Sequence, residues 1–351
     1  MGSVKDLEVI KDAEPDSYGT GRFIFSDRYS VFDWGEMPDL IDHKGEAIAM
    51  LAAYFFEKFD EIGISNHYTG LVENKIVKKF IDIKNPVNVM EVKLLRVAKP
   101  VFKDNNYDYS IYKTLKGCFL VPLEVIYRNF LPQGSSVFKR LSNKEITLKD
   151  LGLDARPYPN QKLEKPIYDV STKLEITDRY LTWDEAQKIS GLSENELLEL
   201  KNITDKVNKL ITGEFAKINL VNEDGKIEVG FNPLRRLIVV DVAGTLDECR
   251  FTPLGNTGLP VSKEIARIYY RNTVWYDAVC EAKQKDIQHW KEICREKPKP
   301  LPQKLKTLIS QTYCACTNEI TGRKWFSNIP PLDDILCEIK ENLPLSDSSK
   351  Y

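Results

Sequence analysis

Apolar positions along this chain follow two different periods. In the first third, "GRFIFSD" (21–27), "LVENKIVKKFID" (71–82) and "VMEVKLLRVAKPVF" (89–102) carry β-branched and aromatic residues in the manner of strands. Between the first two, "KGEAIAMLAAYFFEKFDEIG" (44–63) repeats apolar residues at helical spacing and stops at Gly63. "GCFLVPLEVIYRNFL" (117–131) reads as a strand region interrupted by Pro122, because proline has no N–H for a ladder. From about residue 183 the pattern turns helical, as far as Phe215. Thr182 with Glu185, and Ser193 with Glu196, have the spacing of a capping box. A hairpin follows: residues 225–231 alternate, Leu237–Val240 are apolar, and Asn-Pro marks the turn. Residues 262–297 are helix-rich, "KPKPLPQ" (297–303) is a connector, and a last helix precedes "EITGRKWF" (319–326). "LSDSSKY" at the end should fray. Strands first and helices later, without regular βαβ alternation, predict an α+β fold.

Composition narrows the classes. With 351 residues and 42% hydrophobic, the chain has ample material for a core. Lys+Arg 50 against Asp+Glu 52 leaves no global basic field for nucleic acid. No apolar run reaches membrane-spanning length, and "MGSVKDLEVIKD" lacks the apolar core of a signal peptide, so a cytosolic location is expected. The seven cysteines are scattered, which favours reduced thiols. Cys314 and Cys316 would point about 200° apart on a helix, so they read as small buried residues rather than zinc ligands. There is no G-x-x-x-x-G-K-[ST], and "GTG" at 19–21 is a turn before it is a dinucleotide fingerprint, which disfavours P-loop and Rossmann enzymes.

Four clusters carry candidate chemistry. "SDRYSVFD" (26–33) with "HKGE" (43–46) groups acids, bases and hydroxyls; "VIYRNFLPQGSSVFKRL" (125–141) holds Arg128, Ser135, Lys139 and Arg140; "PIYDVSTKLEITDRY" (166–180) holds Lys173 and Asp178. The fourth is the hairpin. Asp224, Lys226 and Glu228 share one strand face, and Asp241 closes the partner run near Glu228. Like charges across a strand pair cost up to about 1 kcal/mol, so the juxtaposition demands a reason. Singly, each cluster could be a turn, a cap or, for Lys139 and Arg140, a solvated face. Together they hold what phosphate chemistry requires: carboxylates for Mg²⁺, cations for a polyphosphate, and small hydroxyl residues for close approach.

In this order the clusters resemble the SAICAR synthetase family, the phosphoribosylaminoimidazole-succinocarboxamide synthases. "SDRYSVFD" is similar to the family's "TDRISAFD", and "VPLEVIYRNFLPQGSS" to its "P-x-E-x-[IV]-V-R-x-x-x-x-G-S". "PIYDVSTKLE" resembles its "STK-x-E" segment, "DGKIEVGF" its "D-F-K-x-E-F-G" strand, and "VDVAGTLDECRF" its "DE-x-x-x-x-D-S-x-R" segment; "TYCACTNEITGRKWF" resembles its late helix. The likeness runs from about residue 22 to 326. It implies an antiparallel-sheet N-terminal lobe (1–120), a larger α+β lobe with C-terminal helices (121–351), and an ATP cleft between them. It further implies a ligase of purine biosynthesis in which ATP activates the carboxylate of CAIR as an acyl phosphate and the amine of L-aspartate displaces phosphate.

Carried over residue by residue, the resemblance makes Lys173, Glu228 and Asp241 catalytic, with Glu228 and Asp241 holding Mg²⁺. Arg128, Ser135, Arg250, Asp33 and Lys44 would bind substrate, and Lys173, Lys226, Glu228 and Arg22 would bind ATP. The partners expected are ATP, CAIR and L-aspartate, without nucleic acid or membrane; a homodimer is one assembly the family admits. Three departures stand out. The family's "G-K-x-[RK]-x-x-Y" phosphate loop is replaced by "EPDSYGTGRFIF", too short for the usual hairpin, which shifts the expected grip on ATP to Lys173 and residues 19–22. The family's "DE" is Asp241-Val242. The arginine loop is one residue longer between Arg128 and Gly134. A divergent paralogue acting on another carboxylate, and a non-catalytic nucleotide-binding protein, are the alternatives.

Overall fold

The structure is a computed structural model that describes residues 4–104, 106–255, 259–261, 263–287 and 289–343; the expected frayed tail lies outside the described residues. The first sheet is built from β1 (Lys5–Lys11), β2 (Gly19–Phe25), β3 (Tyr68–Glu73), β4 (Ile76–Lys78) and β5 (Val89–Leu94) in the antiparallel order β1-β2-β5-β3-β4. Two corrections to the sequence expectation fall here. Residues 71–82 are a hairpin rather than one strand, because Asn74 and Lys75 take φ of 51° and 66°, the paired left-handed conformation of a tight turn. The N-terminal hairpin also exists, formed one segment earlier than expected: Lys5 pairs with Phe25 and Val9 with Gly21. "KDLEVIK" escapes notice because it is an edge strand with Leu7, Val9 and Ile10 exposed, so no buried face imposes a clear alternation.

After a small ribbon of β6 (Val101–Lys103) and β7 (Asn106–Asp108), the second sheet gathers β8 (Phe119–Leu131), β9 (Gln161–Thr172), β10 (Tyr180–Leu181), β11 (Leu220–Phe231) and β12 (Leu237–Val240) in the order β10-β9-β8-β11-β12. β13 (Cys249–Pro253) pairs with the first half of β11, and β12 with the second half. Pro122 does not break β8. The β8–β11 register jumps from Glu228↔Glu124 to Gly230↔Leu120, so proline sits in a bulge where a missing N–H costs no ladder bond. The two sheets are joined at β12, where Val239 N–H donates to Ser65 O (2.9 Å) and His67 N–H to Val239 O (3.1 Å). This seam brings the residue after β12, Asp241, beside the first sheet.

Helix α1 (Lys44–Glu61) is buried on nearly every side, between the first sheet and α8 (Gln303–Thr321). α2 (Ser136–Ser142) follows the arginine loop; α3 (Trp183–Ser190) and α4 (Glu194–Ala216) start with the two capping boxes read from sequence, both with reciprocal bonds. α4 covers β11, and Phe215 stacks on Phe55 (5.8 Å) and Phe251 (3.8 Å), so one core runs through both sheets. α5 (Glu264–Arg271), α6 (Val274–Lys285) and α7 (Trp290–Ile293) complete the helix-rich stretch. α9 (Leu332–Asn342) was not anticipated, although Leu332, Ile335, Leu336 and Ile339 bury one helical stripe against α8. Cys314 and Cys316 are buried thiols on α8, as expected.

Candidate active site

Across the second sheet runs a row of alternating charge. Lys173, just past β9, lies 2.9 Å from Glu124 on β8 and 2.6 Å from Glu228 on β11. Lys226, also on β11, lies 2.9 Å from Glu124 and 3.3 Å from Glu248. The row exists because residues 226 and 228 share a strand face and because Glu228 registers against Glu124, which registers against Ser171. Burial favours neutral lysine, yet the carboxylates outweigh it and hold Lys173 and Lys226 protonated. Glu124 likewise stays ionised, because Lys226 and Lys173 overcome its burial.

At the end of the row the balance fails. Glu228 is buried, and Asp241 beside it adds repulsion, so its carboxyl is pushed up to about 8. Its Oε1 meets the Lys173 ammonium in an ion pair, off the line of a well-aligned hydrogen bond. Asp241 takes φ 63°, and His67 Nε2 contacts its carbonyl at 3.0 Å, fixing the turn that aims its carboxylate. Burial alone would raise Asp241, but the Lys5 ammonium, ion-paired with it, holds it well below the carboxylate range. Two carboxylates brought side by side, with the repulsion between them raising one of the two, are a donor set that a divalent metal fits. Among the described residues no cluster of three or more protein ligands occurs, and Mg²⁺ is the ion that binds through one or two carboxylates plus substrate oxygens. Val242, at the position of the family's second acid, is instead buried in the core.

Lys5 is one residue absent from the sequence expectation. Edge strand β1 carries it to Asp241 and over the Phe23 ring (4.6 Å). Arg22 is a correction. Successive strand residues face opposite ways, so Phe23 lines the cavity at Glu228 while Arg22 pairs with Glu91 at 3.2 Å on the other face. The backbone of residues 19–22 is spent in ladders to β1 and β5. The cavity itself has apolar walls from Leu7, Leu94, Leu95, Val97, Leu120 and Val240, with Glu228 and Asp241 at one side.

Following β11 in the other direction, Asp224 receives Arg250 through Nε at 2.8 Å and through Nη2, and Arg128 at 3.5 Å. Arg128 is buried and also reaches Asp169 (3.3 Å), Ser136 (3.2 Å) and Ser135 (3.5 Å); Ser135 caps α2. The longer arginine loop is absorbed in the turn where Ser135 N–H donates to Pro132 O. Arg140 is not part of a solvated face: it is buried in an ion pair with Asp169 over the Tyr180 ring, whereas Lys139 is exposed. A second cavity, of about 300 Å³, faces Lys226 and is lined by Asp33, Lys44, Asp247, Glu248, Lys263 and Arg267 among others. Asp33 is exposed at its rim and bonded to Lys283. Lys44 is buried, tied to Asp247 (2.7 Å) under the Tyr313 ring, so it acts on the cavity through Asp247. Glu124, Asp247, Lys263 and Arg267 join the site although they are not among the residues expected from sequence. The aspartate of the family's "D-S-x-R" falls on Asp247 and was the available signal for that one.

The Lys44–Asp247 pair carries a stability prediction. Burial opposes ionisation of Asp247, but Lys44 and Lys263 overcome it and hold the carboxyl at about 2. Lys44→Met strands that charge and should cost about 3–5 kcal/mol near neutral pH by urea titration. A depressed carboxyl contributes stability above its unfolded value of 3.8 and loses it as pH falls toward the folded one, so the cost should shrink between those values. An unchanged urea midpoint would remove the structural role.

The chain as a whole is similar to known proteins. Residues 13–287 match the sequence profile of the family described as SAICAR synthetase. A protein of Archaeoglobus fulgidus, provisionally assigned as a phosphoribosylaminoimidazole-succinocarboxamide synthase, is 52% identical over 98% of this chain and 100% of its own length. The phosphoribosylaminoimidazole-succinocarboxamide synthase of Thermoplasma acidophilum is 32% identical over 90% of this chain and 97% of its own. In fold, a Saccharomyces cerevisiae SAICAR synthase complexed with SAICAR superposes with a TM-score of 0.63 at 20% identity, covering 93% of this chain and 94% of that one. A type-2 SAICAR synthetase in complex with ADP gives 0.56 at 22% identity, covering 86% and 99%.

Proposed function

Because the chain belongs to the SAICAR synthetase family, it is an ATP-dependent ligase of purine biosynthesis, and we propose how its cleft joins L-aspartate to CAIR. The observation that carries the assignment of residues is the charge row, which ends at Glu228 and Asp241 beside an apolar cavity and passes at its other end to Arg250. Adenine fits the apolar cavity between the sheets, and Lys5, Lys173 and Lys226 face the phosphates, with Glu124 holding the last two ammoniums in place. Glu228 and Asp241 would hold Mg²⁺, which when bound offsets charge on the triphosphate. ATP phosphorylates the CAIR carboxylate; the amine of aspartate attacks the acyl carbon, forms the C–N bond and expels phosphate, splitting one hard substitution into two easier ones. Lys263 and Arg267, in the cavity facing Lys226, are placed to hold the carboxylates of aspartate. Positioning and charge neutralisation supply most of the catalysis.

The division at residue 120 belongs to the same proposal: the first sheet ends at Leu94 and the second begins at Phe119. So does a cytosolic location; no described helix is long and apolar enough to cross a membrane. Sedimentation of the full chain tells a homodimer, the assembly carried over with the family, from a monomer.

ADP release that requires CAIR and L-aspartate together tests the activity; release without either would return the paralogue to consideration. A second prediction tests the orientation. Arg250 and Arg128, with Ser135, are proposed to take the ribonucleotide phosphate, for which the planar guanidinium fork suits two bonds to one phosphate. Losing one charge-assisted bond is worth about 1.5–3 kcal/mol, so Arg250→Lys should raise the KM for CAIR about ten- to a hundredfold and leave that for aspartate unchanged. The dephosphorylated nucleoside, poor for wild type, should be no poorer for the variant. Equal losses for nucleotide and nucleoside would place Arg250 elsewhere.

A further inference from the structure

Beyond Asp224, β11 contains a second irregularity. Its register with β13 jumps from Asn222↔Phe251 to Asp224↔Arg250, leaving Glu223 as the extra residue of a bulge. Asn222 turns to α4, where it bonds Thr212. Glu223 lines a cavity of about 100 Å³ with Gln133, Gly134, Arg250, Thr252 and Arg271. That volume suits a phosphate group, and a side chain built on Gly134 would point between the guanidiniums, 3.6 Å from Arg271 and 3.9 Å from Arg250. Bulges re-aim a side chain, and this one aims a carboxylate that is only 4% exposed at the space where an anion would sit. The Thr252 hydroxyl beside it is buried without a well-aligned partner among the described residues.

The guanidiniums around this cavity share their carboxylates. Arg250 is held by Asp224, which also faces Arg128 on β8; on α5, Arg271 and Arg267 both bond Glu264 at 2.9 Å. A phosphate dianion entering would meet these cations, but in so small a cavity it would also stand directly against an ionised Glu223, anion to anion. A neutral Glu223 instead supplies an O–H donor. We propose that Glu223 is a further positioning residue for the ribonucleotide, taking one proton from solvent as the phosphate enters and donating it in a hydrogen bond to a phosphate oxygen. The local field is tuned for this exchange: burial first, then Asp224 and Glu264, against the pull of Arg250, push the Glu223 carboxyl up to about 7. The proposal rests on the assignment of this end of the cleft to the ribonucleotide phosphate.

Calorimetry of CAIR binding without ATP, in two buffers of different ionisation enthalpy, reads the proton directly. Wild type should take up close to one proton at pH 8.5 and little at pH 6.0, with affinity falling about tenfold or more between them. Glu223→Gln, which keeps a donor and cannot ionise, should bind with near-wild-type pH 6.0 affinity at both pH values and take up none. Glu223→Ala should bind weakly at both. Absence of proton uptake by wild type at pH 8.5 overturns the proposal without recourse to any variant, as does equal uptake in Glu223→Gln. Failure of wild type to bind CAIR at either pH would sink the ribonucleotide assignment along with it, whereas tight binding with no linked proton would sink the proposal alone.

Discussion

Glu228→Gln and Asp241→Asn should each abolish Mg²⁺-dependent turnover while leaving the chain folded. The two carboxylates meet because β11 and β12 register Glu228 against Val240, and Asp241 follows in a left-handed turn. Burial and the Asp241 charge make ionised Glu228 unfavourable to the fold, whereas Asp241 is held by its ion pair with Lys5. A carboxyl whose folded value is raised to about 8 makes the native state bind a proton the unfolded chain has lost, so stability declines as pH rises from about 4.5 toward 8. Glu228→Gln should therefore melt no lower than wild type at pH 8, and Mg²⁺ with ATP should no longer raise its melting temperature. The catalytic loss should be on the order of 10²–10³ or more, the scale for removing a group that stabilises developing charge. Near-normal turnover at low Mg²⁺ in either variant would show that this pair is not the metal site.

Lys173→Ala should lose its grip on ATP. Among the described residues Lys173 is the one lysine that pairs with both Glu124 and Glu228, so it stands between the charge row and the proposed metal pair. Because those carboxylates keep it protonated against burial, it offers a fixed cation to a polyphosphate. Losing such contacts is worth about 1.5–3 kcal/mol each, so ATP affinity should fall about ten- to a hundredfold or more. Two carboxylates also lose their shared cation, which raises the proton affinity of Glu228 and weakens any metal bound there. Calorimetry with ATP and Mg²⁺ decides the matter, with Lys173→Met as a bulkier control for packing. Wild-type affinity in both variants would mean that Lys5 and Lys226 carry the phosphates unaided.

The sequence by itself determined what depends on neighbours in the chain. Helix α1 and its stop at Gly63, both capping boxes and the β11–β12 hairpin are set by spacings of two to four residues, and each stands where the pattern put it. Because a strand presents alternate residues to one face, the company of Lys226 with Glu228, and the nearness of Asp241, were legible too. What the tertiary structure decided is everything set by register between distant strands. Glu124 meets Lys173 and Lys226 across sequence separations of 49 and 102, and Lys5 reaches Asp241 across 236. A shift of one residue in any of those pairings would send the side chain to the opposite face, and no local signal reports such a shift. Arg22 is the instructive failure: it lies one position from a cavity-lining residue, and strand alternation alone turns it to the far side of the sheet. Glu223 is the reverse case, an unremarked acid that a single bulge, invisible in the periodicity, brings into a buried cavity beside Arg250.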